Sequence, residues 1–402
     1  MIGKTRHHDI AVVGAGPAGS YCATALAARG YQVLLLERSQ QARQQIICTG
    51  IVSAEAFLRF CLPFSAVLCP LKKASLISPA GNKLEYRAAV PFAYVVDRPH
   101  FDAALQGRAA SLGVDVCYGF HAEGVEWMST GLRIQGRLQE EPYSVQAQAA
   151  VFATGFNRGL ARRLGLGRQT SCIQGVQAEA PFDQLEATEV YFGRRVAPGF
   201  FAWVVPMRCG FARIGLLARR NGRQKFHQFL RGPELRDRLR QYPANVTSRC
   251  IVQGIAPRTA GNRFVVVGEA AGQVKTSTSG GIYYGLLGAE LAAEVIDEGF
   301  RRGDLSEKQL WRYHQRWVSL LGPELRAGLK LQSLGAVMTD AEIDHLFRLL
   351  GGNGLLAELL QRLRFDWHNS LIQFLLEHES LTDFLELLWR RYSPGRAFPL
   401  AT

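Results

Sequence analysis

The sequence predicts an α/β fold in three parts: a helix-covered parallel sheet, an antiparallel sheet inserted into it, and a run of helices at the C-terminus. Three observations predict it. Ile10–Glu37 reads as strand, glycine turn, helix and strand; short alternating strands fill about 171–255; and amphipathic helical spacing begins at Asp304. At 402 residues, with 48% hydrophobic and 20% charged residues, the chain can build two or three domains around a sizeable core.

In the first unit, Ile10 to Val13 is an apolar run suited to a buried parallel strand. Gly14, Gly16 and Gly19 follow in the G-x-G-x-x-G spacing, with Pro17 and Ala18 between them. A helical pattern (Tyr21, Ala25, Leu26, Ala28) runs to Gly30, and Val33–Leu36 forms a second strand ending in Glu37. One glycine permits the tight turn, one lets a pyrophosphate approach the backbone, and one lets helix pack against strand. The helix N-terminus offers free N–H groups to the phosphates, and Glu37 can accept from ribose hydroxyls. This Rossmann-type context predicts a bound dinucleotide; ordinary glycine turns are the alternative.

Arg38 to Ile47 is polar and reads as loop, leading through Cys48–Ser53 to a helical stretch at Ala54–Cys61. Leu84 to Val96 alternates, as a strand pair or one long strand would. Asp97 can cap the next helix, Pro99 fits its first turn, and Phe101, Leu105, Ala109 and Leu112 share one face. Val114–Tyr118 and Val145–Phe152 are strands, the latter ending in Ala153-Thr154-Gly155. Ile173–Ala180, Glu189–Phe192, Phe201–Pro206 and Ala212–Ala218 alternate between turn signals and predict the antiparallel sheet. Phe264–Val267 returns to the parallel sheet, Gly268–Gly272 is its tip, and Gly280-Gly281-Ile282 opens a long helix to about Glu298. Leu346, Leu349, Leu350 and Leu371, Phe374, Leu375 mark amphipathic helices, two of them separated by Gly351–Gly354.

The formal charge of +13 suits nucleic acid, anionic lipid or a phosphorylated substrate, but no nucleic-acid motif accompanies it and none is expected as partner. The eight cysteines are scattered without a C-x-x-C pair, which argues for reduced thiols in a cytoplasmic protein and against a metal site. No secretory h-region or 18-residue apolar run occurs, so neither a signal peptide nor a spanning helix is expected.

Gly14–Gly19, Gly268-Glu269-Ala270-Ala271-Gly272 and the run KTSTSGGIYYG from Lys275 to Gly285 together resemble the geranylgeranyl reductase family of flavoproteins, which folds like p-hydroxybenzoate hydroxylase. Cys48–Ser53 (CTGIVS) is similar to the family's cysteine-glycine segment, Phe201–Pro206 to its Y-x-W-x-F-P motif, and Asp97-Arg98 with Phe101-Asp102 to its Arg-bearing helix start. The resemblance runs to about residue 300. Glu269 replaces the usual Asp, Phe201 and Val205 replace Tyr and Phe, and Thr49 replaces a frequent Gly.

The resemblance implies a discontinuous FAD-binding domain (1–70, 97–170, 256–300), a substrate domain (71–96, 171–255) and a helical region (301–402). It implies cofactor contacts at Gly14, Gly16, Pro17, Ala18, Gly19, Glu37, Arg38, Arg98, Gly155, Gly268, Glu269, Gly280, Gly281 and Ile282. The helix end at Gly280 would face the flavin N1–C2=O edge and favour its reduced form. Cys48, Trp203 and Tyr283 are the candidate catalytic residues. Their bland alternatives are a small buried hydrophobe, a core aromatic and helix packing; for Arg98 it is a helix-cap ion pair.

The implied activity is FAD-dependent reduction of C=C bonds in a polyprenyl chain. A second nicotinamide motif is absent, so the donor is transiently bound NAD(P)H or reduced ferredoxin. The positive charge suits an acidic ferredoxin, a prenyl diphosphate or a peripheral membrane surface. The rivals are a flavin-dependent monooxygenase or halogenase of the same fold, and a non-catalytic flavin-bound lipid-binding protein. The C-terminal helices either cover a core, lid the prenyl tunnel or rest on a bilayer.

Overall fold

The computed structural model describes residues 8–40, 48–166, 171–352 and 354–392. The basic residues before His8, most of the polar loop after Arg38, and Asn353 of the glycine break lie outside the described residues.

Strand β1 (His8–Val13) sits at the centre of the parallel sheet, between Glu141–Phe152 and β2 (Val33–Glu37). Its alternation decides the layering. Ile10 and Val12 enter the core beneath helix α1 (Pro17–Ala27), whereas Ala11 and Val13 enter a second core on the opposite face. Both faces are therefore covered, which is why the strand reads as continuously apolar. Asp115–Tyr118 extends the sheet in parallel beyond β2, and Phe264–Val266 extends it beyond Glu141–Phe152. The chain thus leaves this sheet for about a hundred residues and returns to its other side. Phe120–Trp127 and Leu132–Leu138 add an antiparallel extension to the long Glu141 strand.

The intervening seven-stranded sheet contains the four strands expected from alternation, plus Thr247–Val252 at one edge and Lys73–Ile77 with Lys83–Arg87 at the other. It is antiparallel except where Thr188–Tyr191 runs parallel to Lys73–Ile77. Phe226, Phe229 and Leu230 of the Gly222–Leu230 helix join its core.

Three expectations need correction. Lys83–Arg87 and Ala93–Val96 do not pair: the latter belongs to a separate three-stranded sheet with Ile51–Ser53 and Val67–Leu71. Asp97 occupies the N-cap of the Arg98–Ser111 helix, but its side chain makes no cap bond. Leu112 falls just past the helix end and is exposed, while Phe101, Leu105 and Ala109 are buried. The cysteines also differ from expectation. Cys172 and Cys250, 78 residues apart in sequence, are joined by a disulfide between adjacent antiparallel strands, so the thiols are not all reduced.

The C-terminal region comprises helices Glu307–Val337, Asp340–Gly351, Leu355–Arg362, Asn369–Glu377 and Glu379–Tyr392. Leu371, Phe374 and Leu375 pack in its core with Leu346, Leu349 and Leu350. No helix among the described residues is long and apolar enough to cross a membrane.

Non-reducing peptide mass mapping should recover Cys172 linked to Cys250. Reduction, or Cys172→Ser, should destabilise the protein by up to about 4.5 kcal/mol, the chain-entropy value for a loop of this size.

Candidate functional site

Helix α1 begins where the Gly14 turn brings backbone against backbone. A Cβ at Gly14 would stand 2.4 Å from the Ala153 carbonyl oxygen, and one at Gly19 would stand 1.9 Å from that of Gly14. Only glycine permits this approach at the crossing of β1, α1 and the Ala153–Gly155 tip. Gly16 faces open space and is the N-cap, Pro17 occupies the first turn, and no side chain caps the helix. Its N–H groups are therefore free for an anion. Buried Glu37 accepts from the Ala15 N–H and the Ser39 N–H, both at 3.0 Å. Arg38, next to it, is exposed. Gln106 holds the Ala15 carbonyl at 2.8 Å, a contact the sequence did not signal.

The second glycine cluster meets the first. A Cβ at Gly268 would lie 3.2 Å from the Ala18 methyl, and one at Gly285 would lie 3.3 Å from it. Gln273 locks this junction. It accepts from the Gly268 N–H at 2.7 Å and donates to the Tyr313 hydroxyl at 2.7 Å, while a Cβ at Gly288 would strike its amide. Gly281 is the N-cap of the Ile282–Arg302 helix, again with no side-chain cap and no acidic residue in the first turn. Two uncapped helix ends thus converge, and each is a partial positive charge. Gly155, at φ +60°, closes the Ala153 tip on open space.

Between these ends and the seven-stranded sheet lies a polar cluster. Buried Arg98 forks onto Asp102 one turn along its own helix, with both bonds at 3.1 Å. Its charge also acts on the Cys48 thiol. Burial opposes charge on Arg98, but Asp102 and Cys48 outweigh it and raise its pKa. Burial pushes the Cys48 thiol up. The Arg98 charge, the Gly50 N–H and the Arg249 charge outweigh that, and the net shift is downward. Arg249 pairs with Glu269, whose second carboxylate oxygen is buried and bonded to no described residue.

The sheet face opposite is ordered by register. Gln177, Gly215 and Trp203 lie side by side on three adjacent strands. Gln177 donates to the Cys48 carbonyl at 3.1 Å, and Arg213 donates to the Thr49 carbonyl at 2.6 Å while pairing with Glu179. The Trp203 indole covers Gly215, where a Cβ would come within 2.3 Å, and its buried N–H is bonded to no described residue. The structure therefore brings Cys48, Arg98, Glu269 and the sheet bearing Trp203 to one place. Tyr283 is placed differently. It is buried, its hydroxyl donates to Glu55, and its ring packs on Phe60 and Trp367, so burial and Glu55 raise its pKa.

Gln177, Arg213 and Arg249 escaped the sequence reading. The available signal was a polar residue at an inward position of an otherwise apolar strand, clearest at Arg213 within FARIGLLA.

Glycine-walled helix ends, a buried acid at the second strand and an unsatisfied Glu269 oxygen fit an extended dinucleotide such as FAD. Together they have the character of a dinucleotide-binding site. The description of an NAD(P)-binding Rossmann-like domain matches residues 12–43. Digeranylgeranylglycerophospholipid reductase 2 of Methanothermobacter thermautotrophicus is 32% identical, covering 87% of this chain and 93% of its own. The corresponding reductase of Methanocaldococcus jannaschii is 30% identical, covering 86% and 90%. Among solved structures, a geranylgeranyl bacteriochlorophyll reductase-like protein of Thermoplasma acidophilum superposes with TM-score 0.84 at 21% identity, covering 95% of this chain and 99% of that one. A flavin-dependent brominase reaches TM-score 0.71 at 17% identity, covering 96% and 99%. The chain belongs to the geranylgeranyl reductase family of flavin-dependent oxidoreductases.

Two outcomes follow. Gly19→Val should abolish FAD uptake, measured by absorbance near 450 nm after reconstitution, because its side chain meets backbone. Because the folded Cys48 pKa is depressed, its ionised form stabilises the protein above the ordinary thiol value of about 8.5. That stabilisation is lost as pH falls through the folded value. Iodoacetamide labelling of Cys48 should accordingly have its pH midpoint below about 8.5, and the paired variant Arg98→Met/Asp102→Leu should move it upward.

Proposed function

We propose that this chain uses FAD to saturate C=C bonds in the geranylgeranyl-type chains of a polar lipid. The observation that carries this reading is similarity to digeranylgeranylglycerophospholipid reductases, at 32% identity over 87% of the chain. The chemistry FAD supplies when bound and reduced is hydride delivery to an alkene carbon. The chain's own part begins with the glycine turns, which would receive the phosphates at the α1 end, with Glu37 beside the adenosine ribose. Glu269, whose second oxygen is bonded to no described residue, would accept a hydrogen bond from a hydroxyl of the cofactor. Trp203 and Val205 share one face of their strand and give the alkene an apolar wall that excludes water.

The second hydrogen arrives as a proton, and Cys48 Sγ is the group placed to hold it. Arg98 loosens that proton by stabilising the thiolate. Tyr283, committed to Glu55 with a raised pKa, keeps its own. The electron donor is NAD(P)H or reduced ferredoxin. The charge of +13 favours an acidic protein donor and an anionic membrane face at which the lipid is met from the cytoplasm.

Dithionite-reduced protein incubated anaerobically with digeranylgeranylglycerophospholipid should add two mass units per double bond. Insertion of oxygen under air would instead mark a monooxygenase, and reduced protein that no prenyl substrate reoxidises would mark a lipid carrier. Cys48→Ala should lower kcat at least tenfold while FAD affinity stays within a factor of about two, as expected of a proton donor.

A further inference from the structure

The turn Arg364–His368, between two C-terminal helices, is bonded into the cofactor module. Asp366 accepts from Lys275 Nζ at 2.7 Å, with both side chains buried. His368 Nδ1 and Ser277 Oγ are 2.5 Å apart, and the Tyr284 hydroxyl donates to the Asp366 carbonyl at 2.8 Å. Burial first, then the Lys275 charge, push the His368 pKa down to about 4, so this histidine stays neutral beside the pair.

Lys275 in turn shapes the loop before the second helix end. Its N–H donates to the Gly280 carbonyl at 2.9 Å, and its own carbonyl accepts from the Ser279 N–H at 2.7 Å. Its stem fills the space over Gly280, where a Cβ would lie 2.9 Å from Lys275 Cε. Ser279 is held at φ +61°, a strained value for serine that the closed loop imposes. Phe365 covers the Lys275 ammonium at 4.8 Å and lies 5.9 Å from Phe92, which packs with the core of the seven-stranded sheet.

We infer that Asp366 is a positioning residue for the flavin reaction. Through Lys275 it fixes the Lys275–Gly281 loop and so aims the uncapped helix end at Gly281 toward the cofactor. The inference rests on the FAD reading above. It gives the C-terminal region a task beyond covering a core, since the turn touches the cofactor loop and the substrate sheet together.

The test uses the full chain reconstituted with FAD, reading affinity by flavin fluorescence, midpoint potential by dye equilibration, and folding by thermal unfolding. Asp366→Asn should weaken FAD binding at least tenfold and shift the potential. The double variant Lys275→Met/Asp366→Leu, an apolar pair of similar volume, should restore affinity to within threefold of wild type, because a matched apolar pair can replace a buried ion pair. Folded Asp366→Asn with unchanged affinity and potential overturns the inference. If Asp366→Asn does not fold, Phe365→Ala decides. A threefold or larger loss of affinity with a shifted potential supports positioning, and wild-type behaviour overturns it. Wild-type protein that takes up no FAD fails the FAD reading itself, a result distinct from any of these.

Discussion

The arrangement depends on one close approach: the first turn of α1 lies against the Gly268 turn and the first turn of the Ile282–Arg302 helix. Ala18 is the side chain at this junction, and Gly268 and Gly285 leave room for it. A methyl group at either glycine would approach that of Ala18 to 3.3 Å or less, tighter than most packed contacts. Since β1 and Phe264–Val266 flank the long Glu141–Phe152 strand, the same junction fixes where the chain re-enters the parallel sheet. The inserted sheet hangs between those two entry points. Its distance from the helix ends is therefore set by glycine packing.

A second constraint is electrostatic. Arg98, Arg213 and Lys275 are buried, and each has a carboxylate partner: Asp102, Glu179 and Asp366. Arg249 is less buried and pairs with Glu269. Arg98–Asp102 and Lys275–Asp366 are buried on both sides; pairs of that kind contribute little net stability compared with apolar replacements, whereas removing one partner alone costs about 3–5 kcal/mol. Their value here is geometric. Arg213 also holds the Thr49 carbonyl, and the Lys275–Asp366 pair joins segments 91 residues apart in sequence. With these cations paired, the two uncapped helix ends are the partial positive charges of the site.

The sequence made the parallel core legible because its signals are local. G-x-G-x-x-G, the acid at Glu37 and the apolar strand at Phe264 each report on a few adjacent residues. The antiparallel strands were legible by alternation, but their order was not. Nothing local states that Ala93–Val96 pairs with Ile51–Ser53 instead of Lys83–Arg87. The same limit hid the disulfide, since Cys172 and Cys250 become neighbours only through the strand pairing. Cys48 and Arg98 were singled out by resemblance, but the charge of Arg98 that lowers the thiol pKa acts between two separate segments. Tyr283 shows the converse: its position beside the glycine cluster suggested chemistry, while its partner Glu55 comes from 228 residues earlier.

Helical spacing revealed the C-terminal helices but not the Arg364–His368 turn that interrupts them, because that turn carries no periodic signal. Its residues make sense only against the elements they meet. Phe365 and Trp367 alternate with Asp366 and His368, so an irregular segment presents aromatic rings to Phe92 and Tyr283 and polar groups to Lys275 and Ser277. A helix at this position would put side chains three and four apart on one face and would satisfy its backbone internally. Here the Asp366 carbonyl accepts from Tyr284, and the His368 and Asn369 N–H groups donate to Glu324. The backbone bonds a helix would have used are thereby spent on the Ile282–Arg302 and Glu307–Val337 helices.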